Sequence, residues 1–383
     1  MSQYLDKQSS MKILEINPLD RYRTQQFIDL PCKIYKDTAQ WVPPLESDNK
    51  RIFNRQRNPF YRHSKASFYL AVSADGAAIG RVAIIYNQPY NDFNRERTAF
   101  FYLFECIDDF EVAKALFKQG FDWATSQGLN KVIGPRGFSS LDGLGMLLHG
   151  FEHRPAFGIP YNLDYYPKLV EAAGFTPQSD IVSGYLSTKM QLPNKIHKIS
   201  GLVQQRRGLT IARYKSRGDL RRLVPQLKDL YNGMIEGTAG NVPITDEEAK
   251  SMADQLLWFA NPRLIKVIMK GNSPVGFLFA YPDISEAVQR TQGRIFPFGW
   301  LKLLLEMRRT EWVNINGAGI LEDYRGLGGT AILFSEMEKS IHEGGFRHAE
   351  IVQIGVENDR MQRELRELGI DFYKTHRIYQ RSL

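Results

Sequence analysis

Cysteine is almost missing: in 383 residues there are two, Cys32 and Cys106. They lie far apart in apolar surroundings, with no ligand spacing around either. That excludes a disulfide framework and a thiolate metal site, and predicts two buried free thiols in a reducing cytoplasm. Long apolar runs are missing as well. No stretch reaches the roughly 18–20 residues needed to cross a bilayer, and Met1 to Ser10 is polar, unlike the apolar core of a signal peptide. Histidine is sparse. His149 and His153 stand four apart in a loop without a third ligand, so no metal is expected. Ser139, Ser140 and Asp142 lack a Gly-x-Ser-x-Gly context, which removes the serine-hydrolase elbow. No basic block carries interleaved aromatics, which argues against a nucleic-acid module.

What is present is an ordinary globular composition, 43% hydrophobic and 24% charged, on a chain long enough for two domains. Fifty Lys and Arg against 42 Asp and Glu give +8. Such a balance suits polyanions such as coenzyme phosphates, an anionic membrane surface, or tRNA. Element patterns then run twice in the same order: strand, helices, hairpin, strand, helix, strand, helix, strand. The first hairpin turns at Asp75-Gly76 and the second around Gly271-Asn272. Pro31 predicts a kink or restart in the first helical pattern, and Pro225 a helix start. A loop is predicted from Gly134 to Tyr161. The duplication divides the chain at 1–190, a linker helix at 191–208, and 209–383, each domain a mixed, mostly antiparallel sheet flanked by helices.

One stretch of the second domain carries the clearest chemical signal. Val313 to Ile320 reads as a strand, Arg325-Gly326-Leu327-Gly328-Gly329-Thr330 as a Gly-rich turn, and the residues after Thr330 as an amphipathic helix. Amides at a helix start lack intrahelical partners and sit at the positive end of the dipole. Glycines before them allow a phosphate to approach the bare backbone, so the stretch reads as a pyrophosphate cradle. The corresponding place in the first domain, Phe104 to Ala113, has no glycine and several carboxylates. It is not expected to hold a phosphate.

The strand, Arg-x-x-Gly turn and helix, followed by Asn358 and the helix closing near Gly369, resemble the GNAT acyltransferase superfamily. Asn162 with Tyr166 to Phe175 resembles the same second motif in the first domain. The resemblance spans nearly the whole chain and implies a tandem GNAT-like α/β (α+β) fold. It implies acetyl-CoA or another acyl-CoA as co-substrate, held by the C-terminal domain. Ile320 and Leu321 would meet the pantetheine arm, the amides of Arg325, Gly326, Leu327, Gly328, Gly329 and Thr330 would hold the pyrophosphate, and Asn358 would contact the coenzyme arm.

Acyl transfer to an amine needs a base, an oxyanion donor and an acid. The family's carboxylate on the strand is replaced here by Asn314 and Asn316, and the usual tyrosine on the last helix by Leu365. Asn316, Tyr373 and His376 are the remaining catalytic candidates. The expected function is N-acyl transfer, first from acetyl-CoA, to a small-molecule or peptide amine. The alternatives are a retired fold that binds CoA or a protein without turnover, and a transferase using aminoacyl-tRNA or long acyl chains. Between 291 and 312, aromatics and leucines with flanking cations read as packing, a lid, or a membrane-surface contact.

Overall fold

The computed structural model describes residues 11–187, 189, 191–236, 240–357 and 359–383. The chain forms two compact units that are discontinuous in sequence. The first comprises Met1–Ile181, Val288–Ile295 and Lys374–Leu383, and the second Val182–Ala287 and Phe296–Tyr373.

In the first unit, Lys12–Glu15, Lys65–Val72, Ala78–Tyr86 and Thr98–Cys106 pair antiparallel in chain order. Lys131–Gly134 lies parallel to the last of these and antiparallel to the C-terminal strand Asp371–Ser382. Lys65–Val72 is buried at every position but the first, as expected of a strand with its faces covered. Gly80 and Gly120 sit where a Cβ would fall within 2.8 Å of Leu116 Cδ1 and 2.7 Å of Ile84 Cδ1, so glycine sets the close approach of helix and sheet. The core is built on Phe101, Phe117 and Phe175, whose rings meet edge to face at 4.9–5.2 Å.

Two expectations for this unit need correction and one is narrowed. Of the kink or restart expected at Pro31, the restart does not occur: helix Arg21–Ile34 runs through it. Proline cannot bond the carbonyl four residues back, and here Arg81 Nη1 donates to that carbonyl, Phe27 O, at 2.7 Å. The expected loop contains a strand, Met146–His149, paired with Thr375, His376 and Arg377. Finally, Cys32 is exposed while Cys106 is buried, because Cys32 lies on the outer side of its helix.

In the second unit, Leu209–Ala212, Ile265–Lys270, Ser273–Pro282 and Trp312–Ile320 pair antiparallel in chain order. His348–Gly355 joins parallel to Trp312–Ile320, the connection being helix Gly329–Glu343. Arg217–Ile235 starts from a Ser216/Asp219 capping box rather than at Pro225, which lies inside the helix. Asp246–Leu256 starts from the expected Thr245/Glu248 box. Helix Asn194–Arg207 packs on the Gly329–Glu343 helix: a Cβ on Gly328 would fall 2.6 Å from Val203 Cγ2. Ile332, Leu333, Met337 and Ile341 seal that helix onto Val313, Ile315, Ala349 and Ile351.

Candidate functional site

Trp312–Ile320 and His348–Gly355 are paired only from Trp312↔His348 to Ile315↔Ile351. Beyond that point the first strand continues to Ile320 against its antiparallel neighbour alone. A bulge marks the divergence: Leu278 pairs with Ala318 and Ala280 with Ile315, so Asn316 and Gly317 oppose one residue. Among the described residues, the open edge of this strand is therefore free of a second ladder. Leu321 N donates to Val275 O at 2.9 Å, so the alternation of an antiparallel pair turns Ala318 and Ile320 toward the open side. Of the two expected arm contacts, Ile320 lies on the open edge. The Leu321 amide is already satisfied.

The turn that follows is the one expected to hold a pyrophosphate. Glu322–Tyr324 form one 3₁₀ turn, Gly326 and Gly328 take φ of 74° and 87°, and the helix begins at Gly329. Left-handed backbone at these two positions favours glycine. Gly328 is the N-cap and brings no side chain to the helix start. Among the described residues, the amides of Gly326, Gly328, Gly329, Thr330 and Ala331 meet no acceptor, whereas Arg325 N, Leu327 N and Ile332 N do. Five amides thus stand without an acceptor at a helix start, the kind of place where an anion can be bound. Arg325 braces the turn: its Nε donates to Ile320 O at 3.1 Å and Nη2 to Met234 O at 2.9 Å. Asn358 lies outside the described residues.

Beside the divergence sits a buried polar cluster. Asn314 Nδ2 donates to Asp283 Oδ1 at 2.9 Å, and Ser285 Oγ donates to the same oxygen at 2.7 Å. Glu350, opposite Asn314 in the parallel register, is 3% exposed. Burial, then the Glu350 carboxylate that hydrogen-bonds it, pushes the Tyr373 hydroxyl well up. Burial and Asp283 do the same to Tyr281, whose hydroxyl also meets Asn316 and Asn314. Both phenols stay protonated through neutral pH. The cluster thus couples a buried carboxylate to a neutral proton donor, an arrangement able to move a proton. It gathers Asn316 and Tyr373. Sequence reasoning missed Glu350 and Asp283, although a carboxylate inside the apolar run Ala349-Glu350-Ile351-Val352 was a visible signal. Leu365 is a core residue.

His376 belongs to the first unit and is fully buried, with Nε2 3.0 Å from Pro160 O. Nδ1 has no partner among the described residues. Burial lowers its pKa to about 4, opposed in part by the hydrogen bond to Pro160 O and aided to a smaller degree by the Lys374 charge. A neutral, enclosed ring is a packing element, and its effect is on stability. Below the unfolded value near 6.5 the unfolded chain takes up a proton that the folded ring refuses. The stability is complete above pH ~6.5 and is lost as pH falls toward the folded value, by about 2 kcal/mol between pH 7 and 5. Urea unfolding at the two pH values should show this drop, and His376→Gln should flatten it.

The first unit carries the same divergence but fills it. Thr98–Cys106 pairs with Lys131–Gly134 only from Thr98 to Phe100. At its far end, Cys106 N donates to Tyr166 Oη at 3.2 Å and Tyr165 Oη donates to Cys106 O at 2.8 Å. Glu105 accepts from Tyr35 Oη at 2.7 Å and Tyr166 Oη at 2.8 Å, with Arg81 at 3.6 Å. Asp109 caps the helix that follows, accepting from Glu111 N and Val112 N. The chain's own side chains satisfy both the edge and the helix start. Asp109→Ala should cost about 1 kcal/mol in urea unfolding and leave CoA affinity unchanged in a parallel titration.

Among the described residues, no group of three or more His, Cys, Asp or Glu is placed to hold a metal ion. No family model matches the chain. It is 26% identical over 372 residues to protein YghO of Escherichia coli (strain K12), covering 95% of this chain and 94% of that one. It is 24% identical over 372 residues to the bacterial ceramide synthase of Caulobacter vibrioides (strain NA1000 / CB15N), covering 94% of each. Among solved structures, a tandem GNAT protein from the clavulanic acid biosynthesis pathway superposes with TM-score 0.56 at 10% identity, over 97% of this chain and 98% of that one. A GCN5-related N-acetyltransferase from Sphaerobacter thermophilus gives 0.51 at 13% identity, over 97% and 95%. These likenesses are of fold.

Proposed function

We propose, from the GNAT-like acyltransferase fold that this chain carries, that it is an acyl-CoA-dependent N-acyltransferase with one coenzyme site, in the second unit. The observation that carries the reading is the contrast between two equivalent turns. The Gly326–Ala331 turn offers five unpartnered amides, while Asp109 closes the other. The cradle takes the diphosphate, the open edge at Ala318 and Ile320 takes the arm, and the thioester lies at the bulge beside Glu350. As the amine nitrogen bonds to the acyl carbon, Glu350 accepts the proton that nitrogen loses. Carbon–sulfur cleavage expels the thiolate, Tyr373 protonates it, and Glu350 returns the proton to Tyr373. The products are an amide and free CoA, with both side chains restored. Asn316 positions Tyr281 and the bulge.

The name of the Caulobacter relative points to the acceptor. A ceramide is the amide of a fatty acid and a long-chain amino alcohol, so we assign a long-chain amine and a long acyl donor ahead of acetyl transfer. Purified protein supplied with acetyl- and palmitoyl-CoA, and with a long-chain amino diol or peptide amines, should release thiol and form amide with the long-chain pair. Coenzyme binding with no amide from any amine would replace this reading by a non-catalytic CoA-binding module.

A further inference from the structure

Twelve large apolar side chains are exposed among the described residues, and six of them fall between 296 and 305. Phe296 is 82% exposed and Phe298 69%, and Trp300, Leu301, Leu304 and Leu305 follow on helix Gly299–Arg309. Leu303 alone on this helix is buried. Successive residues turn by about 100°, so Leu303 fixes the inward direction and places Leu301 and Leu305 opposite it. Trp300 and Leu304 flank them on one side, and Lys302 and Arg309 on the other, with Arg308 beside Leu301. All three cations are exposed. Monomeric proteins rarely leave such a cluster uncovered without a use for it.

We infer that Phe296–Arg309 is a docking surface for an anionic lipid bilayer, with the apolar ridge entering the headgroup–acyl boundary and Lys302, Arg308 and Arg309 meeting lipid phosphates. The mixture decides the occupant. A symmetric contact with a second copy would set these cations against themselves, whereas anionic lipid satisfies ridge and charges together. No helix among the described residues is long and apolar enough to cross a membrane, so the segment lies on the surface. The inference rests on exposure and charge, independently of the acyltransferase reading.

The test is co-sedimentation of the full chain with vesicles of phosphatidylcholine alone or with roughly one-third phosphatidylglycerol. Partitioning should be at least ~10-fold stronger on the mixed vesicles and fall steeply with salt. The double substitution Leu301→Asp/Leu305→Asp should weaken it at least ~10-fold with an unchanged melting temperature, both side chains being exposed. Lys302→Glu/Arg308→Glu should weaken it similarly and flatten the salt dependence. Brominated acyl chains should quench emission that Trp300→Phe removes. Equal partitioning of the wild type and the Leu301→Asp/Leu305→Asp variant would overturn the inference. So would a change from dimer to monomer in that variant with vesicle binding untouched.

Discussion

Glu350→Gln is expected to lower kcat for amide formation by about 10²–10³-fold while KM for acyl-CoA stays within about twofold. The carboxylate lies at the last fully paired stretch of the parallel strands, next to the point where an acyl group would enter the sheet. It lies on His348–Gly355, a different element from the turn that would anchor the coenzyme, so its loss should leave binding intact. Glutamine keeps the shape and can still accept from Tyr373, but it cannot take a proton from nitrogen. Tyr373→Phe should cost less, about tenfold, because solvent can supply the proton to sulfur once the base has acted. Asp283→Asn separates chemistry from support. Asp283 is committed to Asn314 and Ser285, so its change should lower stability by about 1–3 kcal/mol and reduce kcat only through that loosening. An Asp283→Asn variant with normal stability and a larger kcat loss than Glu350→Gln would reverse the two roles.

Thr330→Glu should weaken CoA binding by about 10–100-fold while leaving the protein as stable as before, or more stable by about 0.3–1 kcal/mol. The opposite signs make this variant informative. A carboxylate in the first turn of a helix interacts favourably with the dipole, as Asp109 and Glu111 illustrate in the first unit. At Thr330 the same charge would occupy the amides that a diphosphate needs. Gly328 is a less clean position, since any Cβ there would press on Val203 and loss of binding would be confounded with displacement of helix Asn194–Arg207. Arg325 is likewise a brace for the turn, so its removal reports on geometry before charge.

Much of this was legible in the sequence because it depends on local rules. Gly326, Gly328 and Gly329 before an amphipathic run gave the turn and the helix start, Thr245 with Glu248 gave a cap, and the glycine-free acidic segment at 104–113 marked the first unit as different. The features that were not legible depend on partners far away in the chain. Helix Arg21–Ile34 survives Pro31 through an arginine 50 residues on, at Arg81. Met146–His149 becomes a strand only because Thr375–Arg377 lies alongside it. Tyr373 and His376 looked equivalent on one strand. Tyr373 reaches Glu350 in the second unit, while His376 is enclosed in the first beneath Pro160. Glu350 was not legible because it stands on the strand beside the one that leads into the turn, and only the fold brings it opposite Asn314.

The central claim is that one of two equivalent turns binds the coenzyme. Isothermal titration of CoA into the wild type, Thr330→Glu and Asp109→Ala tests it most directly. One site per chain is expected, lost or weakened at least tenfold in Thr330→Glu and unchanged in Asp109→Ala. Two sites, no site, or wild-type affinity in Thr330→Glu would contradict it.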